Sequence, residues 1–154
     1  MKILKSAGLL TICLAAAACQ PAKTDDNRAS VEYLFLPGNE SRGLPFSDAV
    51  RHGDTLYVSG MVGLEPGTMH VIEGGIEAEA TQIMKQLETT LETFGSSMQR
   101  VVKCTVFLAD EADRDGFNKV YMSYFDHLPA RSGVTVRGLA LGARAELECI
   151  AAIN

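Results

Sequence analysis

The last quarter of the chain carries the residues whose types and spacing best suit chemistry on a small molecule. Arg131 stands in a Pro-Ala-Arg-Ser turn at the start of one alternating segment, and Glu146 and Glu148 share one face of a second. A guanidinium is a planar fork of donors that matches a carboxylate. A glutamate can take a proton from water when its surroundings tune its pKa. These residues predict a site for a carboxylate-bearing molecule, although solvated strands also carry Arg and Glu.

Two amphipathic helices are predicted upstream of this region. Apolar residues recur at helical spacing over residues 76–94, and Gly95 is a natural stop. A second helix is predicted from the cap Asp110 to about His127, because apolar and aromatic residues form one stripe there. Asn118 falls off that stripe and therefore faces either solvent or a cleft. Helices of this kind need a flat apolar surface, most simply a sheet.

Alternating patterns and turn residues predict the strands. We expect them at residues 31–37, 46–51, 55–60, 69–72 and 100–108, and on each side of the loop 138–142. The second and third form a hairpin around a Gly-containing turn. The order strands, helix, strand, helix, strands predicts an α+β fold, a mixed β-sheet with both helices packed on one face.

The first residues predict export. Residues 1–18 have the basic start and the apolar run of a secretory signal peptide. The end of this run resembles a bacterial lipoprotein signal with Cys19 as the lipidated residue, and Gln20 resembles the signal for sorting to the outer membrane. Cleavage at an ordinary Ala-x-Ala site, leaving a soluble periplasmic protein, is the alternative. Residues 19–30 predict a flexible tether, so we expect a domain at residues 31–154 that is periplasmic and lipid-anchored to the outer membrane.

The charge of the mature chain argues against nucleic acid as a partner. The full chain has 14 basic and 19 acidic residues, and removal of the signal takes away Lys2 and Lys5, which leaves a net charge of about −7. Phosphate neutralisation dominates nucleic-acid binding, so an acidic chain without basic clusters is poorly suited to it. The three histidines, His52, His70 and His127, are scattered near turns, and no metal site is expected.

Two cysteines, Cys104 and Cys149, lie in strand-like segments of the predicted domain. In an oxidising compartment such residues could form a disulfide. Nothing in the sequence sets their separation in space. The sequence therefore favours two small buried thiols and leaves the disulfide open.

Six short segments occur in the order and spacing of one known family. They are Pro-Phe-Ser-Asp-Ala-Val (45–50), Gly-Asp-Thr-Leu-Tyr-Val-Ser-Gly (53–60), Val-Lys-Cys-Thr-Val-Phe-Leu (102–108), Phe-Asn-Lys-Val-Tyr (117–121), Pro-Ala-Arg-Ser (129–132) and Glu-Leu-Glu-Cys-Ile-Ala (146–151). Over residues 31–154 the chain resembles the RidA/YjgF family of reactive-intermediate imine deaminases. The resemblance implies a chorismate-mutase-like α+β fold, a homotrimer with ligand sites between subunits, and no metal or organic cofactor.

The same resemblance implies the reaction and the site residues. Enamine and imine intermediates such as 2-aminoacrylate would be hydrolysed to a 2-oxo acid and ammonia. By position, Arg131 matches the arginine that holds the substrate carboxylate, and Glu146 matches the glutamate that positions or activates water. Ser59 and Asn118 match polar residues that line the same cleft.

Three positions depart from the best-known members of the family. Phe46 stands where a tyrosine is often found, Met61 where a glutamine is often found, and Gly133 where cysteine or threonine is common. Loss of a side chain at Gly133 is expected to leave its backbone N–H as the contact with substrate and to widen the cavity. These departures bear on substrate size more than on the reaction.

Two other functions compete with the deaminase. One is a non-catalytic module that binds a 2-oxo acid or other small metabolite in the same pocket, a reading that export favours because imine-releasing enzymes are mainly cytoplasmic. The other, more remote, is the endoribonuclease activity that the family name also carries. The acidic mature chain and the export signal weigh against it.

Overall fold

The computed structural model describes residues 30–153. The predicted signal peptide (1–18), the predicted lipidation site Cys19 and the predicted tether up to residue 29 lie outside the described residues. Within the described part of the chain, no helix combines the length and the apolar character needed to cross a membrane.

A six-stranded mixed sheet organises the domain. Its strands are β1 (Val31–Leu34), β2 (Ala49–His52), β3 (Thr55–Val62), β4 (Val101–Leu108), β5 (Ala130–Thr135) and β6 (Ala145–Ala152). Their order across the sheet is β1-β2-β3-β6-β4-β5, with β4 and β5 parallel and every other pair antiparallel. Two helices, α1 (Gly75–Thr93) and α2 (Arg114–Met122), complete the fold. The predicted α+β class and the hairpin of β2 and β3 are confirmed.

The hydrophobic core lies between one face of the sheet and the helices. α1 buries the apolar stripe predicted for it, including Ile83, Met84, Leu87 and Leu91. β6 buries alternate residues against this stripe, so that Leu147 is buried whereas its neighbours are not. Burial of such side chains is the main stabilising contribution to the domain. Neither α1 nor α2 covers the opposite face of the sheet, called here the open face.

The start of β6 is tied to both helices by charged groups. The backbone N–H of Arg144 donates to Glu79 of α1 at 2.8 Å, and its guanidinium contacts Asp113, just before α2, at 2.7 Å. Glu79 and Asp113 are 3% and 5% exposed, and buried carboxylates of this kind need such partners. These contacts set the position from which Glu146 projects.

Among the predicted elements that differ in extent from those observed, two differ most. The segment 69–72 forms only an isolated bridge between Leu64 and Val71, because the turn before it brings too few residues into register. The second helix begins after a single 3-10 turn capped by Asp110, as predicted, but ends at Met122 rather than near His127. The N–H groups of Ser123 and Tyr124 donate to carbonyls three residues back, which tightens the last turn and ends the helix.

Cys104 and Cys149 form a disulfide, so the expectation of two free thiols is wrong, although their burial is confirmed. The antiparallel register of β4 and β6 places the two residues directly opposite each other, with Cα atoms 4.1 Å apart. Directly opposed residues of an antiparallel pair share a face and bring their Cβ atoms close together. The bond lies on the helix-covered face of the sheet.

Candidate functional site

A large cleft lies beyond the point where β2 stops pairing with β3. The β2–β3 register ends at Ala49 and Val58, and past it β3 is flanked by the loop 36–48. The cleft has a volume of about 1050 Å³ and is lined by this loop, the end of β3, the loop 64–69 and one side of α1. It is mostly apolar, and three predicted site residues line it: Phe46, Ser59 and Glu146.

The side chain of Glu146 lies across Gly60, and its carboxylate lines this cleft. The ladder between β3 and β6 shifts register between Val58 and Met61, and a bulge of this kind redirects the residues within it. A Cβ atom at Gly60 would overlap Oε1 of Glu146 and lie 3.1 Å from its Cδ. Only glycine leaves room there for the carboxylate in its observed position. Gly60 lies within the Val-Ser-Gly segment, but its steric role was not predicted.

The surroundings of Glu146 favour its neutral form. Burial raises the pKa of this carboxyl, and the nearby charge of Glu148 raises it further. Glu148 itself is exposed and does not line the cleft. A glutamate with a raised pKa exchanges protons closer to neutral pH than an ordinary one. Of the two glutamates, Glu146 is therefore the one suited to acid–base chemistry.

Ser59 supports the wall of the cleft through hydrogen bonds, whereas Phe46 exposes its ring. The hydroxyl of Ser59 donates to the carbonyl of Ser47 at 2.7 Å, and its N–H donates to the carbonyl of Asp48 at 3.0 Å. The side chain of Ser59 thus fixes the loop that forms the cleft wall. Asp48 holds the same loop by accepting bonds from the Leu36 N–H and the Asn39 amide at 2.7 and 2.8 Å. Phe46 is 51% exposed, so its ring is available to a ligand.

Arg131 belongs to a second group of residues, at the edge strand β5. Its Nη2 donates to Oδ1 of Asn118 at 2.7 Å, and its guanidinium carbon lies 4.7 Å from the ring centroid of Tyr121. Asn118 and Tyr121 are three residues apart on α2, which puts them on neighbouring positions of one helix face. The hydrogen bond and the cation–π contact orient the guanidinium. Tyr121 was predicted only as a core residue, and its contact with Arg131 was missed.

The two groups lie on opposite faces of the sheet. Arg131 is in register with Cys104, and Cys104 with Cys149, so Arg131 shares their helix-covered face. Glu146 has the opposite parity to Cys149 on β6 and therefore projects from the open face. The residues predicted to form one cleft are consequently divided within a single protomer, with Phe46 and Ser59 beside Glu146, and Asn118 and Gly133 beside Arg131.

The space above Gly133 is partly filled. A Cβ atom there would lie 3.0 Å from Nη1 of Arg114 and 3.3 Å from Cγ1 of Val106. The side chain of Arg114 thus takes part of the space that a missing side chain at Gly133 leaves, and the predicted widening of the cavity stays a prediction. Arg114 was not singled out from the sequence; its spacing of three residues from Glu111 was the available signal.

Glu111 holds Arg114 in place. The guanidinium donates to both carboxylate oxygens, with an Nη2–Oε2 distance of 2.7 Å, and the hydroxyl of Thr135 donates to the same carboxylate. The hydrogen bonds from Arg114, and then that from Thr135, lower the pKa of Glu111 to about 2. Glu111 is therefore fully ionised at neutral pH. A bidentate pair of this kind fixes the plane of the guanidinium.

The fold and these residues match a known family. The family model described as Endoribonuclease L-PSP matches residues 41–153. This chain belongs to the RidA/YjgF family. The 2-iminobutanoate/2-iminopropanoate deaminase of Mus musculus is 43% identical to it over 108 residues, which cover 70% of this chain and 80% of the mouse protein.

Solved structures of the family share the fold. The crystal structure of the yeast protein YEO7 superposes with a TM-score of 0.74 at 34% identity, over 81% of this chain and all of the yeast chain. The structure of RidA from the Antarctic bacterium Psychrobacter sp. PAMC 21119 gives a TM-score of 0.69 at 31% identity, over 82% and 98% of the two chains. Within residues 30–153 of this member of the family, no cluster of three or more His, Cys, Asp or Glu residues could hold a metal ion.

Proposed function

We propose that this protein is a hydrolytic deaminase of 2-imino acids, which consumes water and releases a 2-oxo acid and ammonia. The observation that carries the proposal is Glu146, a glutamate of raised pKa held over Gly60 in a cleft of about 1050 Å³. The name of the mouse relative, a 2-iminobutanoate/2-iminopropanoate deaminase, supports the substrate class.

Each polar group then has a distinct role. Arg131 binds the substrate carboxylate through the edge of its guanidinium that Asn118 leaves free, which places the imine carbon within reach of a water. Tyr121, stacked under the guanidinium, keeps it oriented. Glu146 takes a proton from the attacking water and returns it to the leaving nitrogen. Imines of this kind already hydrolyse in water, so orientation and one proton carrier are sufficient.

The division of Arg131 and Glu146 between two faces leads to a proposal about assembly. A complete site requires Arg131 of one subunit and Glu146 of another, and we propose a homotrimer with sites between subunits. The open face of the sheet supports this, because Tyr33 and Tyr57 stand in one row with Ile150 and are 70% and 45% exposed. A row of exposed aromatic residues is typical of a surface that a partner covers.

Replacement of Arg131 with Ala is expected to abolish acceleration of imine hydrolysis, because the substrate loses its anchor. An amino-acid oxidase would generate 2-imino acids in situ, and semicarbazide trapping would report their lifetime with the full chain or its variants. Arg137→Ala removes a neighbouring exposed arginine and should have no effect. Unchanged kcat/KM in Arg131→Ala would contradict the assignment.

Subunit mixing tests the shared site directly. Arg131→Ala and Glu146→Gln are each expected to be inactive alone. When the two are unfolded together and refolded, about a quarter of the head-to-tail interfaces would combine an intact Arg131 with an intact Glu146, and activity should return in that proportion. No recovery from a well-folded mixture would show that the two residues act within one subunit or not at all.

The principal competing function is binding of a stable 2-oxo acid without turnover. The disulfide supports this binding function, because disulfides are typical of oxidising compartments. Imine-releasing enzymes are mainly cytoplasmic, so an exported protein would not meet their products directly. The trapping assay separates the two, since a binding protein would bind 2-oxo acids yet leave the imine lifetime unchanged. Ribonuclease activity, the description attached to the family model, fits poorly with an acidic chain.

We further propose export and lipid anchoring at Cys19. The cross-strand disulfide supports the export, because such bonds persist in oxidising compartments. Expression of the full chain in a bacterium is expected to place it in the outer-membrane fraction with covalent lipid. Cys19→Ser should abolish the lipid label and move the protein out of that fraction. Recovery of both forms in the cytoplasm would contradict the proposal.

A further inference from the structure

We propose that the groove between α2 and β5 accepts a second acidic group, and that the preferred ligand is a short 2-imino or 2-oxo dicarboxylate. Arg131 would bind the carboxylate next to the imine carbon, and Arg114 would bind the distal one. The inference rests on the proposed function in one respect, the assignment of Arg131 as the carboxylate anchor.

The placement of the two arginines follows from the periods of a strand and a helix. Residues 131 and 133 of β5 face the same side, with Cα atoms about 7 Å apart. On α2, Arg114 and Asn118 are one turn apart and face this strand. Asn118 contacts Arg131 and Arg114 lies over Gly133, so the two guanidiniums follow each other along one groove. Such a spacing suits the two ends of a four- or five-carbon dicarboxylate.

Arg114 is held in place while keeping free donors. Glu111 accepts from its Nε and Nη2, and Thr135 fixes Glu111 in turn. Within residues 30–153, the Nη1 group that approaches Gly133 makes no hydrogen bond. A guanidinium oriented in advance loses little conformational entropy when it binds an anion. The ion pair with Glu111 therefore positions Arg114 and leaves one edge of its fork for a ligand.

Gly133 leaves room for this arrangement. A Cβ atom at residue 133 would lie 3.0 Å from Nη1 of Arg114 and 3.3 Å from Cγ1 of Val106. Gly133 has no side chain, and the guanidinium of Arg114 lies next to the space that a side chain would take. Gly133 is exposed and the side chain of Arg114 is 33% exposed, so this end of the groove is open to solvent.

The free edge of Arg114 favours a dianion over a monoanion. Glu111 and Asp115 balance the two positive charges of Arg131 and Arg114, so the selectivity comes from the unfilled donor of Arg114 rather than from net charge. One carboxylate bound at Arg131 would leave the free edge of Arg114 without a partner, whereas a second carboxylate would satisfy it. A site built to bond a polar group discriminates strongly against ligands that lack the group.

The test compares two five-carbon 2-oxo acids that differ only at the distal end. Binding of 2-oxoglutarate and of 2-oxopentanoate to the full chain would be measured by calorimetry, for the parent, Arg114→Gln and the control Arg137→Gln. The parent and the control are expected to bind 2-oxoglutarate at least about ten-fold more tightly, the size of a charge-assisted hydrogen bond. Arg114→Gln should remove this preference and leave the affinity for 2-oxopentanoate within about two-fold.

Two results would overturn the inference. Equal affinities of the parent for the two acids would show that no second carboxylate is recognised. Equally weakened binding of both acids by Arg114→Gln, in a variant with an unchanged unfolding midpoint, would show that Arg114 only supports Arg131.

Failure of the proposed function would give other results. A dicarboxylate preference without imine turnover would reject the deaminase alone, and intact binding of both acids by Arg131→Ala would reject the shared anchor.

Discussion

Replacement of Glu146 with Gln is expected to lower kcat for imine hydrolysis by about 100-fold or more, the usual contribution of a general base. Glutamine keeps the shape of the side chain but cannot take a proton from water. Binding of a 2-oxo acid should change little, because Arg131 supplies the carboxylate anchor. Steady-state kinetics with oxidase-generated imines would measure kcat, and calorimetry would measure binding. A variant that retained more than half of the parent kcat would exclude Glu146 as the base.

Glu148→Gln is the matched control on the same strand. Glu148 is exposed and lies outside the cleft, so kcat at neutral pH should be retained. Its charge is the second cause, after burial, of the raised pKa of Glu146. A base is active when deprotonated, so kcat/KM of the parent should fall as the pH drops through this raised pKa. Removal of Glu148 should move that acid limb to lower pH, and a limb that stayed in place would argue against Glu146 as the titrating group.

Gly60→Ala tests the position of Glu146 rather than its chemistry. A methyl group at residue 60 would displace the carboxylate, but it meets only the end of a flexible side chain. We therefore expect a substantial loss of kcat with little change in the free energy of unfolding. A large loss of stability with unchanged kcat would show that Gly60 serves the fold alone.

Removal of the disulfide is expected to produce the largest change in stability. Cys104 and Cys149 enclose a loop with a sequence separation of 45 residues. Constraint of the unfolded chain by a loop of this size is worth about 4 kcal/mol in the chain-entropy account. The double variant Cys104→Ala, Cys149→Ala avoids an unsatisfied hydroxyl in the core and should lower the free energy of unfolding by about that amount.

Urea denaturation with and without a reductant would measure the contribution of the disulfide. The parent should lose stability in reductant, whereas the double alanine variant should be insensitive to it. If the parent showed the same midpoint in both conditions while its thiols were demonstrably reduced, the disulfide would have no stabilising role. The result also bears on export, since a chain that needs this bond folds best in an oxidising compartment.

The parts of the protein that short-range patterns encode could be predicted from its sequence. The stripe of α1 from Ile83 to Leu91 and the alternation of β6 around Leu147 repeat within a few residues, so the period alone identifies the element and its buried face. The ordered motifs around Ser59, Arg131 and Glu146 identified the family for the same reason, since each motif is local. The end of α2 was less predictable, because the apolar stripe continues past the tightened turn at Ser123 and Tyr124 that ends the helix.

Contacts between residues distant in sequence were decided only by the tertiary structure. The Cys104–Cys149 bond depends on the register of two strands, and a shift by one residue would turn one cysteine to the other face. The same register assigns Arg131 and Glu146 to opposite faces, although each was correctly placed on a strand. Arg114 lies above Gly133 because the tertiary structure brings the start of α2 near that part of β5. Local sequence determines which side chains share a face of an element, but only the packing of elements determines which faces meet.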